Sequence, residues 1–155
     1  MAANLISTGL SGDIRNTGLP CFEVTCSHLN TPRGAMFSTD NGFTVSERFD
    51  QGADFSTATG YFTAPVTGRY LACIGIRIDS VIDTTYIHVG LVTSNVDRHS
   101  LAITQSLNRS YEHMSVSYIT DMDAADTAYC KSYTAGSTFT TDTQGESSFS
   151  MVLIC

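Results

Sequence analysis

In the run DMDAAD, Asp121, Asp123 and Asp126 place carboxylates at the first, third and sixth positions of a loop, the opening spacing of an oxygen-ligand calcium site. A helix–loop–helix calcium loop also needs an oxygen ligand at position five, glycine at six and a distant glutamate. Ala125 and Asp126 stand at those two places, so the run reads first as a solvated turn, with calcium as the lesser alternative. His28, His88, His99 and His113 form no His-x-His or His-x-x-x-His pair. His88 and His113 fall beside Tyr86 and Tyr111 and read as hydrogen-bonded side chains rather than metal ligands. Ser, His and Asp all occur, but no Gly-x-Ser-x-Gly elbow marks a nucleophile. The stretch GADFSTATG lacks the Gly-Lys-Ser/Thr core of a phosphate loop. Asn108-Arg109-Ser110 fits a glycosylation sequon, read here as a chance match. Tyr61, Phe62, Tyr111, Tyr129 and Tyr133 offer aromatic surface of the kind sugars use, although core or interface packing is the first reading. With no catalytic constellation left, the chain is expected not to be an enzyme and to need no cofactor.

The five cysteines, Cys21, Cys26, Cys73, Cys130 and Cys155, are odd in number and read as free, mostly buried thiols. On a strand, the step from Cys21 to Cys26 puts the two on opposite faces, wrong for a bridge or a shared metal. The chain has 155 residues, the length of one domain. It is 42% hydrophobic but only 15% charged. Typical soluble domains carry about 25% charged residues. Ser and Thr, together with coverage by partners, are expected to make up the difference. Net charge is −7 and Lys131 is the only lysine, so by charge nucleic acid and anionic membranes are not expected as partners. No apolar run is long enough to insert in a membrane as a helix. The start, MAANLISTGLSGD, lacks the basic and apolar regions of a secretory leader, so cytoplasmic synthesis is expected, with a mature fragment of a longer chain as the alternative.

The elements that must position these residues are strands. In RYLACIGIRID, Tyr70, Ala72, Ile74, Ile76 and Ile78 share one apolar face, and Leu71, Cys73, Gly75, Arg77 and Asp79 share the other. YIHVGLV sets Ile87, Val89 and Leu91 against Tyr86, His88 and Gly90, and YEHMSVSYITDM gathers Met114, Val116, Tyr118 and Met122. The closing SSFSMVLIC is apolar on both faces, with Phe149, Met151 and Leu153 against Val152 and Ile154. Polar turn clusters separate these runs, and no helical period emerges. An all-β sandwich or barrel is the expected class. Residues 1–19 read as an extended docking arm, its apolar Leu5, Ile6, Leu10, Ile14 and Leu19 packing on another protein, and residues 20–155 as the head.

The order in RFDQGADFSTATGYFTAPVTGRYLACIGI is a Thr-Gly pair, a short strand, a Pro-x-x-Gly turn, then a long strand that opens on an aromatic. It resembles the globular head of complement C1q and its relatives. MDAADTAYCKSY is similar to that family's Gly-Asp turn and outer strand, with Ala125-Asp126 where Gly-Asp is usual. SSFSMVLIC is similar to its closing Ser-x-Phe-Ser strand, with the usual glycine replaced near Met151. The resemblance spans roughly Pro20 to Cys155. It implies a ten-stranded jelly roll of the tumour-necrosis-factor kind, homotrimers, and calcium near the three-fold axis in some members. Strands that are apolar on both faces need a second burial partner. Leu71, Cys73, Phe149, Met151 and Leu153 are therefore the expected trimer interface.

The expected function is a non-enzymatic structural or binding protein. Its leading form is a trimeric virion surface component such as a bacteriophage fibre, knob or capsid decoration. The arm would bind other virion proteins, and the far loops would face a host glycan or receptor. The alternatives are a secreted recognition or cytokine-like head, or a small lectin-like binder.

Overall fold

The computed structural model describes residues 18–27, 35–81, 84–102, 109–136, 140–141 and 145–155. Among the described residues there is no helix. The strands are β1 (Cys21–Ser27), β2 (Thr44–Asp50), β3 (Phe55–Ser56), β4 (Tyr61–Thr63), β5 (Gly68–Val81), β6 (Thr84–Thr93), β7 (Asp97–Ala102), β8 (Arg109–Met122), β9 (Thr127–Gly136), β10 (Thr140–Thr141) and β11 (Ser147–Leu153). Among the described residues they number eleven against the ten expected, and β3 and β10 have only two residues each.

Two antiparallel sheets face each other. In the six-stranded sheet, β5 is flanked by β8 on one side and by β10 and β11 on the other, and β1 and β2 continue beyond β11. The five-stranded sheet runs β3-β4-β9-β6-β7. Alternation along β5 sets the core. Tyr70, Ala72, Ile74, Ile76 and Ile78 are all buried, as are Ile87, Val89 and Leu91 on β6 of the facing sheet. Between them Phe22 stacks on Phe55 at 4.6 Å and meets Phe149 edge-on at 5.1 Å. The buried Tyr70 keeps its hydroxyl satisfied by donating to the Val66 carbonyl at 2.8 Å.

The β11–β5 register corrects part of the expected interface. Phe149 pairs with Ile74 and Met151 with Ala72, so both point into the chain's own core, at 0% and 1% exposure. Leu153 pairs with Tyr70 and packs half-buried against that same core. Leu71 and Cys73 face outward, opposite Val152 and Ser150. A strand apolar on both faces carries no sign of which face is inner, and pairing with the strongly alternating β5 decides it.

Sequence periodicity gives no sign of Ala35–Phe43, yet Met36, Phe37 and Phe43 all enter the core. This segment caps the β9 edge: Ala35 bridges Lys131, and the Met36 N–H donates to the Cys130 carbonyl at 2.8 Å. Phe37 takes φ 58°, a left-handed turn that lets consecutive side chains both point inward. Gly60, at φ 76°, passes so close to the Met36 carbonyl that only glycine fits. Leu5, Ile6, Leu10 and Ile14 lie outside the described residues, and Leu19 is half-buried just before β1.

Candidate functional site

The outer face of the six-stranded sheet divides into bands. Across its lower part, register aligns Ile119, Leu71, Val152 and Cys21 in one row. Ile119 is 55% exposed, and Ile154 beyond the strand end is 46% exposed. The next rows hold small side chains. Ser117, Cys73 and Ser150 come first, then Ser115, Gly75 and Ser148, with Ser117 Oγ donating weakly to Cys73 Sγ at 3.6 Å. The result is an apolar-to-small strip, with Glu23 ending the Ser117–Cys73–Ser150 row and the Arg69–Asp121 ion pair beside the first row. Burying it against another protein removes apolar area at about 25 cal/mol per Å².

Above these rows sits a charged knot. Arg77 donates through Nε to Asp79 at 2.8 Å and through Nη1 to Glu146 at 2.7 Å. Its guanidinium also lies 4.9 Å from the Tyr111 ring centre. The Arg77 N–H donates to Ser147 Oγ at 3.1 Å, tying β5 to β11. Hydrogen bonds donated to Glu146 and Asp79 hold the Arg77 pKa above its ordinary value. This cation is satisfied within the chain, and it closes the upper end of the face. His113 is the register partner of Arg77, and His88 packs beside Tyr86 at 4.9 Å. His28 and the side chain of His99 lie outside the described residues.

The run Asp121–Asp126 is a turn whose carboxylates are committed to different partners. Asp121 takes the Arg69 Nε at 3.0 Å. Asp126 accepts from the Asp123 N–H at 2.8 Å, Ser94 Oγ at 2.8 Å and Asn95 Nδ2 at 2.6 Å. The Asp123 N–H, then Ser94, lower the Asp126 pKa from its ordinary value. Ala125 takes φ 74°, the left-handed conformation that the family's usual glycine serves. Among the described residues, no three His, Cys, Asp or Glu side chains converge as metal ligands. An open depression of about 490 Å³ beside this turn is lined by Thr67, Arg69, Asn95 and Asp121.

All five cysteines are free. Cys26 and Cys130 are buried, Cys21 is intermediate, and Cys73 and Cys155 are exposed, so the thiols are less buried than expected. Burial pushes the Cys130 thiol well above its ordinary pKa. Of the expected aromatic surface, Phe62 is core, Tyr111 is 60% exposed beside Arg77, and the Tyr133 side chain lies outside the described residues. Tyr61 and Tyr129 meet on the outer face of the other sheet, with parallel rings 4.6 Å apart. Sequence gave no sign of that pairing, because only the β4–β9 ladder joins the two positions.

The C1q domain family pattern matches residues 23–154, and the chain belongs to that family. No curated protein matches the chain. Among solved structures it is similar to the globular domain of zebrafish complement 1qA protein. That similarity has a TM-score of 0.63 at 15% identity and covers 88% of this chain and 98% of that one. Eiger TNF from S. frugiperda follows at TM-score 0.58 and 12% identity, covering 88% and 93%. Murine APRIL at pH 5.0 is similar at TM-score 0.56 and 10% identity, covering 88% and 99%. At these identities the structural likeness shows the jelly-roll fold. Domains of this family are generally non-enzymatic ligand or recognition modules, typically extracellular.

Proposed function

We propose that the chain is a homotrimeric recognition head, assembled through the outer face of its six-stranded sheet. The carrying observation is the row Ile119, Leu71 and Val152 with Cys73 above it, apolar or small on a face that a lone sandwich leaves wet. Family membership supports the same reading, since its homologues form homotrimers. Light scattering of the full-length protein in reductant, across a dilution series, tests it. A stable threefold mass is expected, and a soluble monomer at all concentrations overturns it.

At the finer level the head works on a virion surface, docked through residues 1–19. The free thiols favour this reading, because a particle protein is assembled in a reducing cytoplasm before it meets the outside. A secreted ligand or recognition head is the second reading, favoured by the extracellular habit of C1q domains. Deleting residues 1–19 separates the two: the trimer should persist while incorporation into particles is lost. Normal incorporation without the arm overturns the docking role.

A further inference from the structure

We propose that Tyr61, on the outer face of the five-stranded sheet, is a stacking platform for one pyranose ring of a neutral saccharide. The proposal rests on the reading of the chain as a recognition head and gives that head a ligand class and a place to bind it. Tyr61 and Tyr129 are register partners on β4 and β9, with planes 5° apart and centroids 4.6 Å apart. Tyr129 therefore covers one face of the Tyr61 ring. On the other side the register partner is Ser56 of β3, a side chain too short to cover the opposite face. Tyr61 is 36% exposed.

The hairpin that carries the ring is fixed before any ligand arrives. The Gly60 N–H donates to the Ser56 carbonyl at 2.7 Å, closing the hairpin. The Thr39 and Asp40 N–H groups donate to the Thr57 and Ala58 carbonyls at 2.9 and 3.0 Å, and Ser38 Oγ donates to Ala58 at 2.6 Å. A ring stacked on Tyr129 and carried by so firmly tied a hairpin loses little freedom on binding.

The surroundings select the ligand. A pyranose has one face of C–H groups, weakly positive, and a rim of hydroxyls. The C–H face suits the negative face of an aromatic ring. The hydroxyl rim suits groups that both donate and accept, such as the exposed Ser56, Thr59 and Thr63 around Tyr61. Along the register row Ser56–Tyr61–Tyr129–Val92–Asp97, charge enters only at the far end. A protein epitope fits poorly, because a stable interface needs about 800 Å² per partner and this apolar strip runs only from Tyr61 through Tyr129 to Val92.

A printed array of neutral and sialylated oligosaccharides, probed with the full chain, tests the platform. Wild type is expected to be retained on a subset of neutral glycans. Tyr61→Phe should keep that signal, and Tyr61→Ala should lose it by tenfold or more. Ser56→Leu lays an aliphatic side chain over the open face of Tyr61, leaves the Tyr129 contact on the other face in place and offers no aromatic face of its own. It should also abolish retention even if Tyr61→Ala folds poorly. Tyr111→Ala, on the other sheet, should leave it unchanged. An array without neutral-glycan signal, or retention that survives both Tyr61→Ala and Ser56→Leu, overturns the platform. Retention on sialylated glycans alone, indifferent to Tyr61, overturns it while leaving the recognition reading in place at another surface. The scattering mass reports separately on the assembly half of that reading.

Discussion

Gly60→Ala tests how the inserted segment and the β3–β4 hairpin support each other. Gly60 has φ 76°, and a β-carbon there would run into the Met36 carbonyl, with Ser38 Cβ at 3.1 Å and the Phe37 carbonyl carbon at 3.2 Å. Those neighbours cannot withdraw cheaply. Met36, Phe37 and Ser38 are all fully buried, and the Met36 N–H is bonded to Cys130. Left-handed backbone alone costs alanine about 1 kcal/mol. Forcing buried backbone apart adds about 2 kcal/mol, in the range of overpacked cores. At about 2–4 °C per kcal/mol for a chain this long, the melting temperature should fall by about 6–12 °C. Gly145 is the control. It has the same φ of 76° with nothing within 4 Å of its would-be β-carbon, so Gly145→Ala should cost the strain alone. That is a fall of about 2–4 °C. Both are read by thermal unfolding in circular dichroism. Equal falls would refute the claim that residues 36–38 press on the hairpin.

Ala125→Gly should relieve the left-handed strain at φ 74°, stabilising the chain by about 0.5–1 kcal/mol, seen as a higher melting temperature. A neutral or lower value would mean the turn adapts to alanine. The Asp126 pKa is lowered by the donors around it, so its contribution is in place above the ordinary carboxylate value of 3.8 and is lost as pH falls through the lower folded value. The melting temperature of Asp126→Asn should therefore converge on that of wild type as pH falls below the ordinary carboxylate value of 3.8. Phe149→Ala should destabilise the protomer itself by about 3–5 kcal/mol in denaturant, as for a core aromatic. A loss under 1 kcal/mol would return Phe149 to the surface.

The parts of this fold that sequence made legible are those where one face is apolar and the other is not. Tyr70 to Ile78 and Ile87 to Leu91 alternate cleanly, and their burial follows that alternation. β11 offers both faces to a core, so periodicity alone could not tell Phe149 from Val152, and only its register on β5 does. β2 sits at a sheet edge with Phe49 47% exposed, so it carries almost no inward pattern to read. Met36 and Phe37 are invisible for a different reason. They are buried by a left-handed turn rather than by any repeat. The candidate sites divide the same way. Leu71 and Cys73 can be found from the strand that carries them, whereas the Tyr61–Tyr129 pair and the Arg77 knot exist only through pairing of distant segments.

The two proposed surfaces lie on opposite outer faces of the sandwich, which makes assembly and ligand binding compatible and couples them in affinity. Leu71 is on the six-stranded sheet and Tyr61 on the five-stranded one, so a trimer closed through the first leaves three copies of the second uncovered. A single tyrosine under one sugar ring binds weakly. Three held on one rigid body can raise retention on a dense glycan surface by about 10²–10⁴-fold through effective concentration alone. Leu71→Asp separates the terms. Its side chain is on the outer face, so the protomer should fold, while a carboxylate in an apolar contact should dissociate the trimer. The variant is expected to scatter as a monomer, lose most of its retention on the array, and keep the wild-type affinity per site for a soluble monovalent sugar. Undiminished retention by a monomeric variant would show that the platforms act singly. A Leu71→Asp protein that remains trimeric would show that the apolar row is not where the protomers meet.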